Sequence, residues 1–522
     1  MSLGLRWGRL FMFGLCFGFA ALAAQEQVFG AEQQKMRQAG VAGSFYPADP
    51  AQLTAMMDDM MSHASQPAIK GQILAVVAPH AGYPYSGPVA AYTYAALKGR
   101  KYSRVVVIAP SHYEAFDFTS VYDGDGYVTP LGTIPVDKAF AQQLTKMSSS
   151  IRLSGRGHLA TSKGAEHALE VQLPWLQHVL GSFTLVPIIM GDQSYESSRA
   201  LGVALARLLQ HEGSSPDKGD VKASAGDTLI VASSDLSHYH TYAEAEEMDH
   251  KTLNALQAWD YFSMSRNFDA RVWEACGGAP IVAAMIAAEH MGANQAKLLR
   301  YANSGDVTGD RSHVVGYGAV ALVKAPGQQA AEKPYSLSDK EKDILLTVAR
   351  KSVESAVREQ KAYAPGVIPE EALHQERGAF VTLKEAGDLR GCIGYTSAVK
   401  PLYLTVRDTA VLAALRDPRF HPVSTQELPK LQYEISVLSP LRHVLDVRQI
   451  VVGEHGLLMK SGTNEGLLLP QVPTEQHWDR TRFLEETCGK AEMRPNCWKD
   501  ENTDIFMFTA VVFGEHRPAI SQ

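Results

Sequence analysis

Three histidines stand a few residues after short apolar runs that are typical of buried strands. His80 ends "ILAVVAPH", His112 follows "VVVIAPS", and His238 follows "LIVASSDLS", in which Asp235 also lies. Ligands of open α/β sheets bind in the crevice outside the carboxyl ends of the strands, so the fold could bring these side chains together in that crevice. The alternative is that each is a loop histidine that bonds to water or to the backbone.

A cysteine adds a softer group to this set. Cys276 precedes Gly277, Gly278 and a strongly helical segment, so we expect it at or just before a helix N-terminus. Unpaired backbone N–H groups there carry partial positive charge, which lowers the pKa of a thiol. A thiolate beside neutral imidazoles suits a transition metal such as iron, copper or zinc. The alternative is a small buried residue that allows close packing beside the glycines.

The elements that must position these residues alternate along the first half of the chain. The strands are short and rich in Val and Ile, which suits burial on both faces of a sheet. Strand, helix, strand in repetition predicts an α/β domain with a mostly parallel sheet and flanking helices. The predicted strands are "ILAVVAP", "RVVVIAP", "FTLVPIIM", "TLIVASS" and "VVGYGAVALVK", and the predicted helices are "GPVAAYTYAALKG", "ALEVQLPWLQHVLG", "SSRALGVALARLLQHEG" and "APIVAAMIAAEHMGA".

Length and charge narrow the class of protein. A chain of 522 residues has room for two domains, and a composition with 45% hydrophobic and 20% charged residues is ordinary for a soluble globular protein. The net charge is −7 and the basic residues are scattered, so no surface for nucleic acid is indicated.

The N-terminus has a composition of its own. Arg6 and Arg9 precede "LFMFGLCFGFAALAA", an uncharged apolar run of 15 residues that ends in small residues. This order predicts a secretory signal peptide over residues 1–24 and an exported, periplasmic mature protein, with no membrane contact beyond the leader. The alternative is an uncleaved N-terminal anchor, although the run is short of the ~20 residues that a span needs.

A change in composition separates a second domain. Residues 326–336, "PGQQAAEKPYS", are typical of a linker. Ser338 is the expected N-cap of the next helix, with Glu341 at the capping-box position. Short strands and helices then follow in no strict alternation, which predicts an α+β domain. Cys488 and Cys497 could pair in an exported protein, although their spacing alone leaves the pairing open.

Six motifs of the first half, taken in order, resemble the Memo family over roughly residues 36–325. They are "RQAGVAGSFYPADP", "VVAPHAGYPYSG", "IAPSHY", "EHALEVQLPWLQ", "SSDLSHY" and "CGGAP". The resemblance implies the α/β fold of the large subunit of class III extradiol ring-cleaving dioxygenases. It also implies a metal pocket with ligands at His80, His112 and Cys276, lined by Asp235 and His238.

The resemblance makes Fe(II) the expected metal, with copper and zinc as alternatives. Ring-cleaving relatives hold Fe(II) with two histidines and a carboxylate, so a cysteine gives a softer site and the same reaction cannot be assumed. One hypothesis is a dioxygenase-like oxidoreductase in which His238 is the acid/base and Asp235 orients it. The other is a protein without turnover that binds metal or serves as a peptide-binding or scaffold surface. A small organic molecule or a peptide is the expected ligand of the pocket.

Two further residues in "EHALE" are expected near this pocket. His167 and Glu170 fit one face of a predicted helix. A structural role in hydrogen bonding is favoured for both over metal ligation.

The second half resembles an AMMECR-type domain over about residues 337–518, through "LRGCIG" and "DPRFHPV". The resemblance implies an α+β fold and no assigned biochemical activity. Cys392 lies in a predicted turn after a strand, where Arg390 could lower its pKa and His421 is the base nearest in sequence. Cys392 is therefore a candidate nucleophile. The alternative is a small residue packed in a glycine-rich turn.

The fusion also suggests a partner. Memo-like and AMMECR-like proteins resemble two of the three parts of the AmmeMemoRadiSam system, whose third part is a radical S-adenosylmethionine protein. Such a protein is therefore the expected partner. A radical enzyme is normally cytoplasmic whereas the predicted leader directs this chain outside, so these two expectations oppose each other.

Overall fold

The computed structural model describes residues 34–65, 68–214, 227–327 and 335–515. The predicted signal peptide and most of the predicted linker lie outside the described residues. Among the helices that are described, none combines the length and the hydropathy that a membrane span requires. We call the part up to Lys324 the N-terminal half and the part from residue 335 the C-terminal half.

Strands and helices alternate through the N-terminal half, as its sequence predicts. The strands are β1 (Met36–Arg37), β2 (Gln72–Ala78), β3 (Arg104–Pro110), β4 (Thr119–Val121), β5 (Gly126–Thr129), β6 (Gly132–Pro135), β7 (Ile151–Leu153), β8 (Thr184–Met190), β9 (Thr228–Ser233), β10 (His238–His240), β11 (Gln295–Asn303) and β12 (Val314–Lys324). The helices are α1 (Pro50–His63), α2 (Tyr83–Ala95), α3 (Lys138–Leu144), α4 (Gln172–Leu180), α5 (Tyr195–Ser214), α6 (Tyr242–Gln257), α7 (Tyr261–Asp269), α8 (Gly278–His290) and α9 (Ser304–Thr308).

The central sheet of this half has nine strands within the described residues, in the order β10-β12-β2-β9-β3-β8-β4-β7, with β11 paired to β12. Its middle strands β2, β9, β3 and β8 run parallel, in agreement with the α/β class that the sequence predicts. The pairs β12–β2 and β4–β8 are antiparallel, so the sheet as a whole is mixed.

Both faces of the central sheet are covered by apolar side chains. In β3, Val106 belongs to a cluster with residues of α5, α7 and α8. Its neighbours Val105 and Val107 belong to a second cluster with residues of α1, α2 and α4. Successive side chains of a strand point to opposite faces, so a run of Val and Ile is what burial on both faces requires.

The C-terminal half contains two four-stranded antiparallel sheets in its described residues, ordered β14-β13-β15-β20 and β16-β19-β17-β18. The predicted α+β class is confirmed. Its strands are β13 (Ala379–Glu385), β14 (Asp388–Tyr395), β15 (Leu431–Leu438), β16 (Arg442–His443), β17 (Gly456–Ser461), β18 (Asn464–Leu468), β19 (Asp504–Phe508) and β20 (Ala510–Gly514). Its helices are α10 (Asp339–Glu359), α11 (Leu402–Leu415), α12 (Gln471–Glu475) and α13 (Arg480–Lys490).

Two local expectations in the C-terminal half can be compared with the structure. Ser338 caps α10 and forms a capping box with Glu341, as predicted. Cys488 and Cys497 are joined by a disulfide with a Cα–Cα distance of 5.8 Å. This resolves the pairing that the sequence spacing leaves open.

Candidate metal centre

The centre lies at the carboxyl ends of three adjacent parallel strands, β2, β9 and β3. His80 follows the end of β2, Ser233 ends β9 with Asp235 just beyond it, and His112 follows the end of β3. Because parallel strands end at the same edge of a sheet, residues far apart in the chain meet there.

Three imidazoles converge at this edge. One ligand nitrogen each from His80, His112 and His167 can be chosen so that all three lie within 4.8 Å of one another. The ring centroids are 5.2 Å apart for His80 and His112, and 4.8 Å apart for His112 and His167. We call these residues the three-histidine cluster. It is the only group of three or more potential metal ligands found in the described part of the chain.

Hydrogen bonds fix the tautomer of His80. The Ser233 hydroxyl donates to the carbonyl of Ala168 at 2.6 Å, so its oxygen acts as an acceptor towards His80 Nδ1 at 3.0 Å. The proton of His80 is therefore on Nδ1, and the lone pair of Nε2 is available to a metal. Burial lowers the pKa of His80 well below its usual value, and the nearby His112 lowers it further.

His112 is fixed in the same way by a carboxylate. Glu166 Oε1 lies 2.9 Å from His112 Nδ1, and Glu166 Oε2 accepts the backbone N–H of His112 at 2.6 Å. A carboxylate only accepts, so Nδ1 carries the proton and Nε2 is free. Burial raises the pKa of Glu166, but hydrogen bonds from His112 outweigh it and lower the pKa to about 2. A carboxylate behind a ligand histidine is a common feature of metal sites.

His167 differs from the role that the sequence suggests. It lies before α4 in a loop and not on a helix face, and its buried Nδ1 has no hydrogen-bond partner among the described residues. Burial lowers its pKa to about 4, with a further contribution from His80, so the ring is neutral near pH 7. An unpartnered buried nitrogen is costly unless a ligand meets it, so the cluster fits a transition metal.

Cys276 lies at the edge of the three-histidine cluster. Its Sγ is 3.0 Å from His80 Nε2 and accepts the backbone N–H of Asp235 at 3.3 Å. Cys276 precedes α8, as expected, but its pKa is raised well above the usual value by burial and by the charge of Asp235. The expected lowering by the helix N-terminus is therefore wrong for the protein without metal, because desolvation outweighs the helix dipole.

Asp235 is also buried, and its role differs from the expected one. Its Oδ1 accepts the backbone N–H of His80 at 2.7 Å and that of Ala81 at 3.3 Å. Asp235 therefore holds the segment that carries His80, whereas the sequence suggests that it orients His238. The His238 backbone N–H is instead bound by Glu274 at 3.2 Å.

Glu170 has the structural role that its sequence position suggests. Its carboxylate accepts the backbone N–H groups of Gly40 and Val41 at 2.8 and 3.0 Å and the hydroxyl of Tyr46 at 2.6 Å. It also forms a buried ion pair with Arg37. These bonds tie the loop of His167 to the N-terminal segment.

Cys392 is remote from this centre and is not activated as predicted. It lies within strand β14 and not in a turn, and its Sγ accepts a hydrogen bond from Thr382 at 3.2 Å. Burial raises its pKa, whereas Arg390 is engaged by Glu427 at 2.7 Å. The expectation that Arg390 lowers the pKa of this thiol is wrong. His421 is exposed, and its carbonyl accepts a hydrogen bond from Arg390.

The sequence reasoning missed Glu166 and Ser233, which set the tautomers of the two histidines. Both lie inside motifs that were singled out, "EHALE" and "SSDLSHY". A carboxyl or hydroxyl group close to a ligand position in the sequence could have indicated them. Ligand histidines usually donate a hydrogen bond from their second ring nitrogen to such a group. Which group reaches which ring is decided by the fold.

Comparisons with known proteins agree with this architecture. Residues 37–321 match the family described as Memo-like protein, and residues 346–513 match AMMECR1. A MEMO1 family protein of Methanothermobacter thermautotrophicus is 35% identical over 289 residues, which cover 54% of this chain and 98% of the relative. A MEMO1 family protein of Aeropyrum pernix is 36% identical over 298 residues, or 55% of this chain and all of the relative (100%).

One solved structure is similar in sequence to part of the chain. It is the uncharacterized protein PH0010 from Pyrococcus horikoshii, with 38% identity, coverage of 35% of this chain and 96% of that chain, and a TM-score of 0.35.

Proposed function

The chain belongs to the Memo-like family through residues 37–321, with an AMMECR1 domain fused behind it, and on this premise we propose a metal-dependent oxidoreductase. The proposed metal is Fe(II), bound by the three-histidine cluster. The proposed reaction is the oxygen-dependent oxidation of a small organic molecule, of dioxygenase type.

One observation carries the proposal. His80 and His112 both hold their proton on Nδ1, through Ser233 and Glu166, which leaves the Nε2 lone pair of each ring for a ligand, and one nitrogen each of these two rings and of His167 lie within 4.8 Å of one another. Neutral imidazoles suit iron, copper and zinc. Fe(II) would supply the oxygen chemistry that amino-acid side chains lack.

Proton transfer in the proposed reaction is assigned to His238. Its half-buried imidazole lies close enough to His80 and Asp235 to lower the pKa values of both groups electrostatically. Its backbone is anchored by Glu274. Imidazole is the side chain suited to take and return a proton near neutral pH.

Aromatic side chains beside the centre favour a small aromatic substrate. The ring of Phe45 is 4.6 Å from that of His167, and the ring of Tyr113 is 6.2 Å from it. Tyr239 is 71% exposed and adjoins His238, with a ring distance of 5.7 Å. Apolar and aromatic surfaces with a few polar groups are typical of small-molecule sites.

A second candidate is metal binding without turnover, and the position of Cys276 favours it. Its sulfur is 3.0 Å from His80 Nε2, so it could complete a four-ligand set with the imidazoles. Metal sites closed by four protein ligands are structural or storage sites, whereas catalytic sites keep an open position.

Metal content tests the binding that both candidates require. The full chain is loaded with Fe(II) under anaerobic conditions and desalted. Its iron content is then measured by inductively coupled plasma mass spectrometry. We expect about one iron per chain and a marked loss in His167→Ala. His313→Ala, which alters an exposed histidine away from the centre, is the matched control. Equal iron in His167→Ala and wild type would remove His167 from the ligand set.

Oxygen consumption separates the two candidates. Iron-loaded protein is mixed with catechols of varied substitution in an oxygen electrode. Uptake that depends on iron and falls in His238→Gln supports the oxidoreductase. Full iron occupancy without uptake for any catechol would favour the binding protein.

A further inference from the structure

The second sheet of the C-terminal half has two buried faces with different partners. On one face, Leu457, Met459 and Ile505 pack with α13 in the core of the C-terminal half itself. On the other face, Leu458 and Phe506 belong to an apolar cluster that is formed mainly by the N-terminal half. We call the second face the docking face, and it consists of His443, Leu458, Lys460, Glu465, Leu467, Asp504, Phe506 and Phe508.

The centre of the docking face is apolar and tightly packed. Phe506 is 1% exposed, and its ring lies 4.8 Å from that of Phe262 in α7. Leu458 and Phe508 are 0% and 2% exposed. A sheet face with this composition would expose a large apolar patch without its partner, which is the mark of an interaction surface.

A buried carboxylate fixes the register of this contact. Asp504 is 4% exposed and accepts the Tyr195 hydroxyl at 2.8 Å and Arg199 Nε at 2.7 Å, both from α5. His443 lies between Asp504 Oδ1 at 3.6 Å and Glu289 Oε2 of α8 at 3.4 Å. Asp504 therefore has one charged partner, His443, within its own half, and gains the guanidinium of Arg199 only when the two halves are in contact.

Ion pairs of both polarities surround the apolar centre. Lys460 pairs with Glu196 at 3.1 Å, where the C-terminal half supplies the cation. Glu465 pairs with Arg266 at 2.8 Å, where it supplies the anion. Alternating signs on one surface select a single orientation of a complementary partner.

We propose that the docking face is a binding surface specific for a Memo-like domain, so that the two halves remain associated when the chain between them is cut. The partner surface is the one formed by α5, α7 and α8. The relatives described above cover only about half of this chain (54% and 55%) but nearly their own whole length (98% and 100%), so Memo-like domains exist without the fusion. The inference does not depend on the proposed metal chemistry.

Cleavage of the full chain tests the proposal directly. A protease site is placed within residues 328–334, the purified protein is cut, and its mass is measured by sedimentation at about 1 µM, a concentration that dissociates weak complexes. We expect one species with the mass of the intact chain. Two separate species with unchanged circular dichroism would overturn the proposal.

Substitutions locate the surface. In the cut protein, Arg199→Gln should raise the dissociation constant at least about 10-fold, because it removes the only cation that the N-terminal half is seen to supply to the buried Asp504 in the described residues. Arg266→Glu should also weaken association, and adding Glu465→Arg should restore it. Lys342→Glu, on the surface of α10, is the matched charge-reversal control.

The Arg266–Glu465 ion pair keeps the test valid if Arg199→Gln fails to fold, since both side chains are partly exposed and their substitution should leave the fold intact. An unchanged dissociation constant in Arg266→Glu, or no recovery in the double reversal, would place the contact elsewhere.

Discussion

Glu166 binds both the backbone nitrogen and the ring Nδ1 of His112, at 2.6 and 2.9 Å. One carboxylate thus sets the position of the residue and the tautomer of its ring. Glu166 therefore holds a candidate ligand from behind, while its own oxygen atoms are occupied by hydrogen bonds.

Replacing this carboxylate should weaken metal binding without removing a ligand. In Glu166→Gln the amide can present its NH₂ group to Nδ1, which favours the tautomer that blocks Nε2. We expect metal affinity to fall about 10- to 100-fold, as for other residues behind metal ligands. Competition with a coloured chelator measures it, and Glu359→Gln, an exposed glutamate of α10, is the matched control. An unchanged metal affinity would show that Glu166 does not set the tautomer of His112.

The sulfur of Cys276 should be visible in the spectrum of bound cobalt. Co(II) replaces Fe(II) or Zn(II) in such sites, and a thiolate ligand adds a charge-transfer band in the near ultraviolet. We expect this band in wild type and not in Cys276→Ser, which should still bind metal through the imidazoles. Cys392→Ser, which removes the other free thiol, is the control and should keep the band. The absence of this band in wild type, or a band that survives Cys276→Ser, would remove Cys276 from the ligand set.

Stability should fall at alkaline pH because of His443. Burial alone lowers the pKa of His443, but the carboxylates of Asp504 and Glu289, at 3.6 and 3.4 Å from its ring nitrogens, outweigh it and raise the pKa from 6.5 to about 9. A raised pKa stabilises the fold fully below pH 6.5, and this contribution is lost as the pH rises through about 9. Urea unfolding of the full chain between these values measures the loss.

The other groups that face His443 do not titrate in this window. Burial lowers the pKa of His290 to about 4 and raises those of Tyr195 and Tyr261 well above 10. Burial raises the pKa of Asp504, but the nearby His443 and Arg199 outweigh it and hold the pKa below its usual value. His443→Gln should therefore flatten the profile, whereas His313→Gln should follow wild type. A wild-type stability that is constant from pH 6.5 to 9 would contradict the assignment.

A methyl group at Gly277 should disturb the centre. A Cβ atom there would lie 2.2 Å from the carbonyl oxygen of Ser233 and 2.7 Å from Cβ of Ser234. The backbone next to Cys276 must then move away from β9. Gly277→Ala should cost about 1–3 kcal/mol of unfolding free energy and reduce metal affinity. In Gly366→Ala the added Cβ has no atom within 4 Å, so it is the control.

The strands, and the histidines that follow their carboxyl ends, can be predicted from the sequence. Runs such as "RVVVIAP" have the composition of strands buried on both faces, and the parallel order brings His80 and His112 together. His167 was not placed in the cluster, because a loop before a helix gives no periodic signal for the direction of a side chain. Its loop is held by contacts that Glu170 and the carbonyl of Glu166 make with Arg37, which is distant from them in the chain.

Two features of the C-terminal half show the limits of pattern reading. The run "DIFMFTAVVF" suggests one strand, but it forms β19 and β20, which belong to different sheets. The glycines beside Cys392 suggest a turn, yet they lie in β14, where Gly391 approaches the backbone of α11. Composition does not reveal a change of sheet or a close contact between distant segments.

Helix α8 has 13 residues and so a length of about 20 Å. It starts beside the sulfur of Cys276, and it ends at His290, whose ring centroid is 5.7 Å from that of His443. Its residues from Gly278 to Ala288 are all buried, so it has little freedom to bend. The thiol and the interface therefore lie at the two ends of one buried helix, so a shift of this helix along its axis would move both.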